Sequence, residues 1–321
     1  MFREPPFRYF SPFLKILALI MTMILSFLVV LALGVALTLP FYGTGLLDYI
    51  ATATDYSNPT TLFALKYFQI VNQIGVFIVP AILFVFLTDD HFFSYLGLNK
   101  GLKKFSIFFG IIALIVSLPF INWLVVINGE MHLPAFLERI ETWMRQSEES
   151  AKILTEAFLS TTSWGGFIVN LVMIGGLAAI GEELIFRGVL VRLFKEWTGN
   201  IHLAVFIPAL LFSALHLQFY GFFGRLALGM VLGYLFVFSG SLWVPIIVHF
   251  FNNSMAVILS FMFKRGVIST DLESFGESNN AVVIAGSFIL VVLVLIMISY
   301  HEMKKDKKKT PANDKTGVAN S

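Results

Sequence analysis

The sequence contains no cysteine, and only 13% of its 321 residues are charged, whereas soluble domains carry about 25%. The absence of cysteine excludes disulfides, thiolate nucleophiles and thiolate metal ligands. The low charge content excludes an ordinary soluble fold, because a chain of this size still needs a polar surface. A net charge of +2 gives no basis for nucleic-acid binding. With 57% hydrophobic residues, much of the chain is expected to lie in lipid.

Several long apolar stretches can cross a bilayer, for which about 20 mostly apolar residues suffice. They cover residues 16–42, 67–87, 106–127, 165–181, 201–217, 226–263 and 281–300. The stretch 226–263 is too long for one helix, and Ser239-Gly240-Ser241 is expected to divide it in two. Pro40 is expected to end the first span. The sequence therefore predicts an all-α fold, a polytopic bundle of about eight transmembrane helices.

These spans divide the chain into five regions. Residues 1–130 hold spans one to three, residues 165–263 hold spans four to seven, and residues 264–303 hold the last span. Residues 131–164 have apolar side chains at helical spacing and predict an amphipathic helix at the outer interface, either a surface helix or a lid over a cavity. Residues 304–321 are polar and predict a disordered, basic cytoplasmic tail.

Lysine and arginine in short loops favour the cytoplasmic side of a membrane. They cluster before span one, between spans two and three, after span four and after span eight, at Arg3, Arg8, Lys15, Lys100, Lys103, Lys104, Arg187, Arg192, Lys195 and residues 304–309. An even number of spans places both termini in the cytoplasm, as these charges require. Lys264 and Arg265 are an exception, because they fall on the outer side of the membrane. We expect a multi-pass plasma-membrane protein, and the short chain with its lysine-rich tail is typical of bacteria.

A charged side chain near the middle of a bilayer costs about 2.5–3.5 kcal/mol, so such residues persist mainly where they pair or perform chemistry. The fourth span runs into a segment that places Glu182, Glu183 and Arg187 within or just below the membrane. Glu183 and Arg187 are four residues apart, which favours an ion pair on one helical face. Glu182 is expected to point about 100° away, toward the bundle interior. The alternative is a solvated position at the end of the helix.

Two later spans carry polar side chains at the same four-residue spacing. Phe212 and His216 share one face of the fifth span, and His249 and Asn253 share one face of the seventh. An apolar bundle offers polar side chains few other partners. We therefore expect Glu182, His216, His249 and Asn253 to converge. An interfacial histidine that reaches water is the alternative for His216.

These residue types indicate hydrolysis without a covalent intermediate. A desolvated carboxylate can act as a general base toward water, and imidazole or amide N–H groups can donate to a developing oxyanion. Alternatively, Glu182, His216 and His249 could ligate a divalent metal such as zinc, with water in the open position. A nucleophilic Ser213 or Ser254 also stays open, although no strand–turn–helix context supports one.

Three motifs occur in order, each at a membrane span: Glu182-Glu183-x-x-x-Arg187, Phe212-x-x-x-His216 and His249-x-x-x-Asn253. Together they resemble the signature motifs of the CPBP family, the CAAX proteases and bacteriocin-processing enzymes also called the Abi family. The resemblance covers about residues 165–260. It implies a membrane endopeptidase in which Glu182 and His216 activate water, His249 and Asn253 support the oxyanion, and Glu183 and Arg187 hold the first motif in place. Whether this family needs a metal is disputed.

The resemblance implies a substrate among membrane-associated peptides or protein termini, with the lipid bilayer as the surrounding partner. Asn252 competes with Asn253 for the third motif, and the spacing to His249 favours Asn253. A noncatalytic membrane scaffold or bacteriocin self-immunity protein is the second hypothesis. A proton-coupled transporter is the third, but the sequence lacks the half-to-half symmetry of transporters. Gln69 and Asn72 are expected to act as interhelical hydrogen-bonding residues, as is Asn170.

Overall fold

The computed structural model describes residues 4–43, 45, 56, 58–269 and 276–309, and every regular element within these ranges is helical. The helices are α1 (Pro12–Tyr42), α2 (Pro59–Thr88), α3 (Phe92–Leu96), α4 (Lys104–Gly129), α5 (Glu138–Leu159), α6 (Trp164–Thr198), α7 (Ile201–Ala214), α8 (Phe222–Ser239), α9 (Trp243–Lys264) and α10 (Ala281–Lys309). Seven of these described helices are long and apolar enough to cross a membrane, and α7 is a shorter apolar helix. The predicted polytopic helical bundle is confirmed.

Several helix boundaries differ from those that the sequence predicts. Pro40 lies inside α1, which continues to Tyr42, because a proline in the last turn removes a hydrogen bond where few remain to be made. The break at residues 239–241 is where the sequence predicts it, with Gly240 in the left-handed region at φ 64°. Residues 304–309 of the predicted tail continue α10, whereas residues 310–321 lie outside the described residues.

Three ion pairs mark one end of the bundle, here called the basic end. Their N–O distances are 2.7 Å for Arg8–Asp90, 2.9 Å for Lys15–Glu196 and 2.8 Å for Lys103–Glu302. These contacts join the starts of α1 and α4 to the ends of α2, α6 and α10. The basic segments that the positive-inside rule assigns to the cytoplasm therefore lie together, except for Arg187, which is buried inside the bundle, and Arg3, which is outside the described residues.

Helix α5 lies at the opposite end of the bundle and is tied to the turn that follows α7. The Ser147 hydroxyl donates to the Leu217 carbonyl at 3.0 Å, and the Tyr220 N–H donates to Glu148 at 2.9 Å. At the end of α5, the Phe158 carbonyl accepts hydrogen bonds from Lys66 at 3.1 Å and from Asn170 at 2.6 Å. The helix is therefore fixed to the bundle at its middle and at its C-terminal end.

The first turn of α5 has its own ion cluster. Glu141 accepts hydrogen bonds from the Arg145 side chain at 2.7 Å and from the Leu133 backbone N–H at 2.8 Å, and it contacts His132. The bonds from Arg145, Leu133 and His132 lower the pKa of Glu141 to about 2. This carboxylate therefore stays ionised throughout the physiological pH range, and the stability that it gives to the start of α5 is lost as the pH falls from its ordinary pKa through about 2.

Helices α2 and α6 approach each other closely at Gly181, where a methyl group would lie 2.9 Å from the Phe77 Cβ atom. Each helix contains π-helical turns near this contact: Ile74–Ile78 in α2, and Leu171–Leu177 and Leu184–Leu190 in α6. Such turns widen a helix and free backbone carbonyls, and they are frequent at functional sites. Residue 182 follows directly, so the contact sets how near its side chain lies to α2.

Replacement of Gly181 by alanine is expected to destabilise the protein by about 1–3 kcal/mol, because the added methyl group overpacks the contact with Phe77. The matched control is Gly176→Ala on the same helix, where the nearest atom is the Leu171 carbonyl oxygen at 3.9 Å. Thermal unfolding of the purified protein in detergent measures both. Equal unfolding temperatures for the two variants would contradict the close contact between α2 and α6.

Candidate active site

The centre of the bundle contains a buried ion cluster built on Glu183. Its Oε1 atom accepts a hydrogen bond from Arg187 at 2.6 Å and lies 2.8 Å from the His249 Nδ1 atom. All three side chains are almost fully buried, with exposed fractions of 0%, 1% and 2%. The ion pair expected from the four-residue spacing is therefore present, and it also holds an imidazole from α9.

The rest of the Arg187 guanidinium group is enclosed by α7 and α8. Its second terminal nitrogen donates to the Gly229 carbonyl at 2.9 Å, and its central carbon lies 5.0 Å from the Phe212 ring centroid. Glycine at position 229 lets α8 approach α7, because a methyl group there would lie 3.1 Å from the Ala209 Cβ atom. The cation is thus satisfied by one carboxylate, one carbonyl and one aromatic face.

Glu182 is also buried, with an exposed fraction of 7%, and lines a cavity of about 640 Å³. Its Oε2 atom lies 3.8 Å from the His249 Nε2 atom, and the Gln73 side-chain amide interacts with its carboxyl group. The sequence predicts that the fourth span ends in the segment with Glu182, Glu183 and Arg187, but α6 continues to Thr198, so Glu182 lies inside the helix and not at a solvated end. The two adjacent carboxylates have separate environments: Glu183 is enclosed by protein, and Glu182 faces the cavity.

Hydrogen bonds fix how each imidazole is protonated. His216 lies just beyond α7, and its Nδ1 atom is 2.6 Å from the Phe212 carbonyl oxygen, which can only accept. Nδ1 therefore carries the proton, and the Nε2 atom of neutral His216 is an acceptor. By the same reasoning His249 donates through Nδ1 to Glu183, and its Nε2 atom faces Glu182. Both assignments follow from the hydrogen-bond network.

The turn that carries His216 has an unusual backbone. Leu217 has φ 53°, the left-handed region that side chains other than glycine rarely adopt. The Leu217 carbonyl accepts the hydrogen bond from Ser147 of α5. The Phe212 ring stands between the two imidazoles, with centroid distances of 4.9 Å to His216 and 5.9 Å to His249. Helix α5 and Phe212 thus both help to position His216, whose side chain is exposed.

The third motif supplies two adjacent amides to the cavity. Asn253 donates from Nδ2 to the Ile174 carbonyl at 3.1 Å, which lies in a π-helical turn of α6. Asn252 donates to the Asn253 Oδ1 atom at 3.2 Å and so fixes the orientation of that amide. The second hydrogen of the Asn253 Nδ2 group stays available. Both asparagines line the cavity. Asn252 therefore belongs to the wall and also orients Asn253.

The cavity brings together the side chains that the three motifs predict to converge. It is lined by Glu182, Phe212, His216, His249 and Asn253, with Glu183 and Arg187 behind His249. Part of its wall was not predicted: Gln69, Asn72, Gln73, Gln218 and Arg225, together with α5 residues Ala151, Leu154 and Thr155. The sequence signal for three of these was a row of amides at positions 69, 72 and 73 of an otherwise apolar span. Asn170 does join helices, as expected, through Lys66 and Phe158.

The zinc alternative requires Glu182, His216 and His249 to lie close enough to share one ion. In the described ranges, no group of three or more His, Asp or Glu side chains could hold a metal ion. Glu182, His216 and His249 therefore do not form such a group. As placed, these side chains do not form the ligand set that the metal alternative requires.

The fold and cavity define a class: a multi-pass helical membrane protein with a carboxylate, two imidazoles and an amide around a cavity of about 640 Å³. The family model described as "Type II CAAX prenyl endopeptidase Rce1-like" matches residues 164–255, which run from the start of α6 into α9. This match confirms, over that segment, the resemblance to CAAX proteases that the three motifs carry. No curated protein and no solved structure matches the chain significantly.

Replacement of Arg187 by methionine is expected to destabilise the protein by about 3–5 kcal/mol, because it leaves the buried Glu183 carboxylate unpaired. The double variant Glu183→Met/Arg187→Met is expected to recover part of the loss, since no isolated charge remains. Arg8→Met is the matched control, because its ion pair with Asp90 is exposed and worth about 0–1 kcal/mol. Thermal unfolding in detergent measures all three; a stability of Arg187→Met equal to that of the control would contradict the buried cluster.

Proposed function

We propose that the chain is an intramembrane endopeptidase that hydrolyses membrane-associated peptides or protein termini, with Glu182 as the general base. The observation that carries this proposal is the pairing of two adjacent carboxylates in different environments. Glu183 is neutralised by Arg187 at 2.6 Å, whereas Glu182 faces a cavity large enough for water and a peptide segment. The match of residues 164–255 to a CAAX endopeptidase family supports the same reaction.

In the proposed mechanism, a water molecule is held between Glu182 and the Nε2 acceptor of His216. Glu182 removes a proton from the water molecule while the water oxygen attacks the peptide carbonyl carbon. The carbonyl oxygen becomes an oxyanion, which accepts a hydrogen bond from the free Nδ2 hydrogen of Asn253. The C–N bond then breaks, and Glu182 returns the proton to the departing amine. No covalent intermediate forms.

His249 can assist the oxyanion only when its Nε2 atom also carries a proton. Its Nδ1 hydrogen is committed to Glu183, so neutral His249 presents an acceptor at Nε2. An imidazolium ring, by contrast, has a second N–H at Nε2, the atom that lies 3.8 Å from Glu182, while Nδ1 stays 2.8 Å from Glu183. Glu183 and Arg187 are therefore positioning residues that act through His249.

The positive-inside rule supports one orientation of the chain in the membrane. The basic end carries Arg8, Lys15 and Lys103 and is assigned to the cytoplasm, with both termini on that side. Helix α5 and the turn with His216 lie at the opposite end. The cavity is therefore proposed to take substrate from the extracytoplasmic side or from the outer leaflet.

The decisive experiment compares Glu182→Gln with wild type. Loss of the general base is expected to lower peptide cleavage by at least about 10²-fold without loss of folding. Glu196→Gln is the matched control on the same helix, because Glu196 lies at the basic end and is half-exposed. Membrane peptidomes of cells that carry each variant, together with cleavage of a fluorescence-quenched peptide pool in detergent, provide the measurement.

The competing hypothesis is a noncatalytic scaffold or self-immunity protein, and the same variant separates the two. If Glu182→Gln complements a deletion strain fully and leaves the membrane peptidome unchanged, the peptidase proposal fails and the scaffold is favoured. His216→Ala is the second variant. It is expected to lose cleavage as well, because the Nε2 acceptor that shares the water disappears.

A further inference from the structure

One wall of the cavity lies outside the segment that matches the family. Gln69, Asn72 and Gln73 occupy positions i, i+3 and i+4 of α2, so they share one helical face, and all three line the cavity. The family match begins only at residue 164, almost a hundred residues later in the chain. The α2 amides are therefore an addition to the site that the three motifs do not contain.

Gln69 and Asn72 do not join helices through side-chain hydrogen bonds, which was the role expected for them. The hydrogen bonds between α1 and α2 are made elsewhere: Ser26 donates to the Gly75 carbonyl at 2.9 Å, and Tyr67 donates to the Gly34 carbonyl at 2.8 Å. Among the residues that the structure describes, the side chains of Gln69 and Asn72 have no hydrogen-bond partner.

Gln73 gives the more specific indication. Its side chain is buried with an exposed fraction of 6%, and its amide interacts with the Glu182 carboxyl group. Its Oε1 atom is fully buried and has no hydrogen-bond partner in the described part of the chain. A buried carbonyl oxygen without a partner is rare in proteins, because its desolvation is not compensated. Gln73 lines the cavity, so a rotation of its side chain would present this acceptor to a donor from a ligand.

The opposite wall has the same chemistry. Asn252 and Asn253 of α9 face the cavity, with Glu182 and His249 nearby. A carboxamide offers one acceptor and one donor group, the same pair that each unit of a peptide backbone offers. Amide side chains on two walls therefore suit a peptide main chain more than any particular side chain. In a helical segment these backbone groups are already bonded, so only an unwound segment can use them.

We propose that Gln69, Asn72 and Gln73 form a wall that binds the main chain of an unwound, extended peptide segment across the cavity. In this arrangement Gln73 Oε1 accepts a hydrogen bond from a substrate N–H close to the scissile bond, and its amide nitrogen holds Glu182. The substrate class is then an extended peptide recognised through its backbone, with little dependence on side-chain sequence. This inference rests on the proposed peptidase function and specifies its substrate.

The test uses a fluorescence-quenched peptide that wild type cleaves and a series of analogues in which one backbone N–H at a time is replaced by an ester oxygen. For wild type, the ester at one position near the scissile bond is expected to raise KM by about three- to tenfold, the effect of one neutral hydrogen bond. Gln73→Met is expected to raise KM similarly for the all-amide peptide. In that variant the sensitive ester should cause no further loss, because the two changes remove the same bond.

Gln146→Met is the matched control, because Gln146 is an exposed amide of α5 that does not line the cavity. It should keep the wild-type response to every ester. Gln69→Met and Asn72→Leu provide the same comparison at positions farther along the peptide, and they keep the proposal testable if Gln73→Met does not fold. Unchanged KM in all three wall variants, or ester effects that simply add to those of the substitutions, would overturn the proposal.

Binding separates this inference from the function on which it rests. Fluorescence polarisation of a labelled unstructured peptide is measured on Glu182→Gln, alone and combined with Gln73→Met. If wild type cleaves no peptide but binding weakens at least threefold in the combined variant, the peptidase function fails and the backbone-binding wall stands. If cleavage occurs and binding is the same in both proteins, the peptidase stands and the wall fails.

Discussion

The structure depends on the neutralisation of one carboxylate inside a membrane bundle. Glu183 can be fully buried only because Arg187 donates to it at 2.6 Å from the same helix. That pair then fixes three further elements: α9 through His249, α8 through the Gly229 carbonyl and α7 through Phe212. A buried ion pair adds little net stability by comparison with apolar side chains, but loss of one partner is costly. The cluster is therefore better understood as a device that fixes the relative positions of four helices.

This arrangement explains why two consecutive glutamates have different chemistry. Successive residues of a helix point about 100° apart, so only one of them can face Arg187. Glu183 does so and loses contact with the cavity, while Glu182 faces the cavity and the Gln73 amide. The motif thus combines a positioning carboxylate and a candidate reactive carboxylate in two residues. The His249 ring lies between them, with one nitrogen toward each.

The sequence predicts the spans, the break at residues 239–241 and the convergence of the motif residues, because each follows from local composition or four-residue spacing. It does not predict that α6 continues to Thr198, because the charges at 182–187 read as the end of a span until their partners in α8 and α9 are known. The π-helical turns that free the Ile174 carbonyl for Asn253 also have no local signal. The role of the amides in α2 is missed for the same reason: spacing shows that Gln69, Asn72 and Gln73 share a face, but only tertiary structure shows what that face meets.

A hydrolytic site inside a bilayer must admit water and a peptide while it keeps its charges out of lipid. The cavity meets these requirements with different parts of its wall. Arg187 and Glu183 are sealed away from it, the carboxamides and Glu182 provide its polar surface, and α5 covers it with Ala151 and Leu154. Phe136, just before α5, and Trp143 within it are exposed, which suits the membrane interface. Because α5 is bound to the turn that carries His216, any movement that widened the cavity for a peptide would also move this imidazole, and substrate entry and the geometry of the site would be coupled through the Ser147–Leu217 contact.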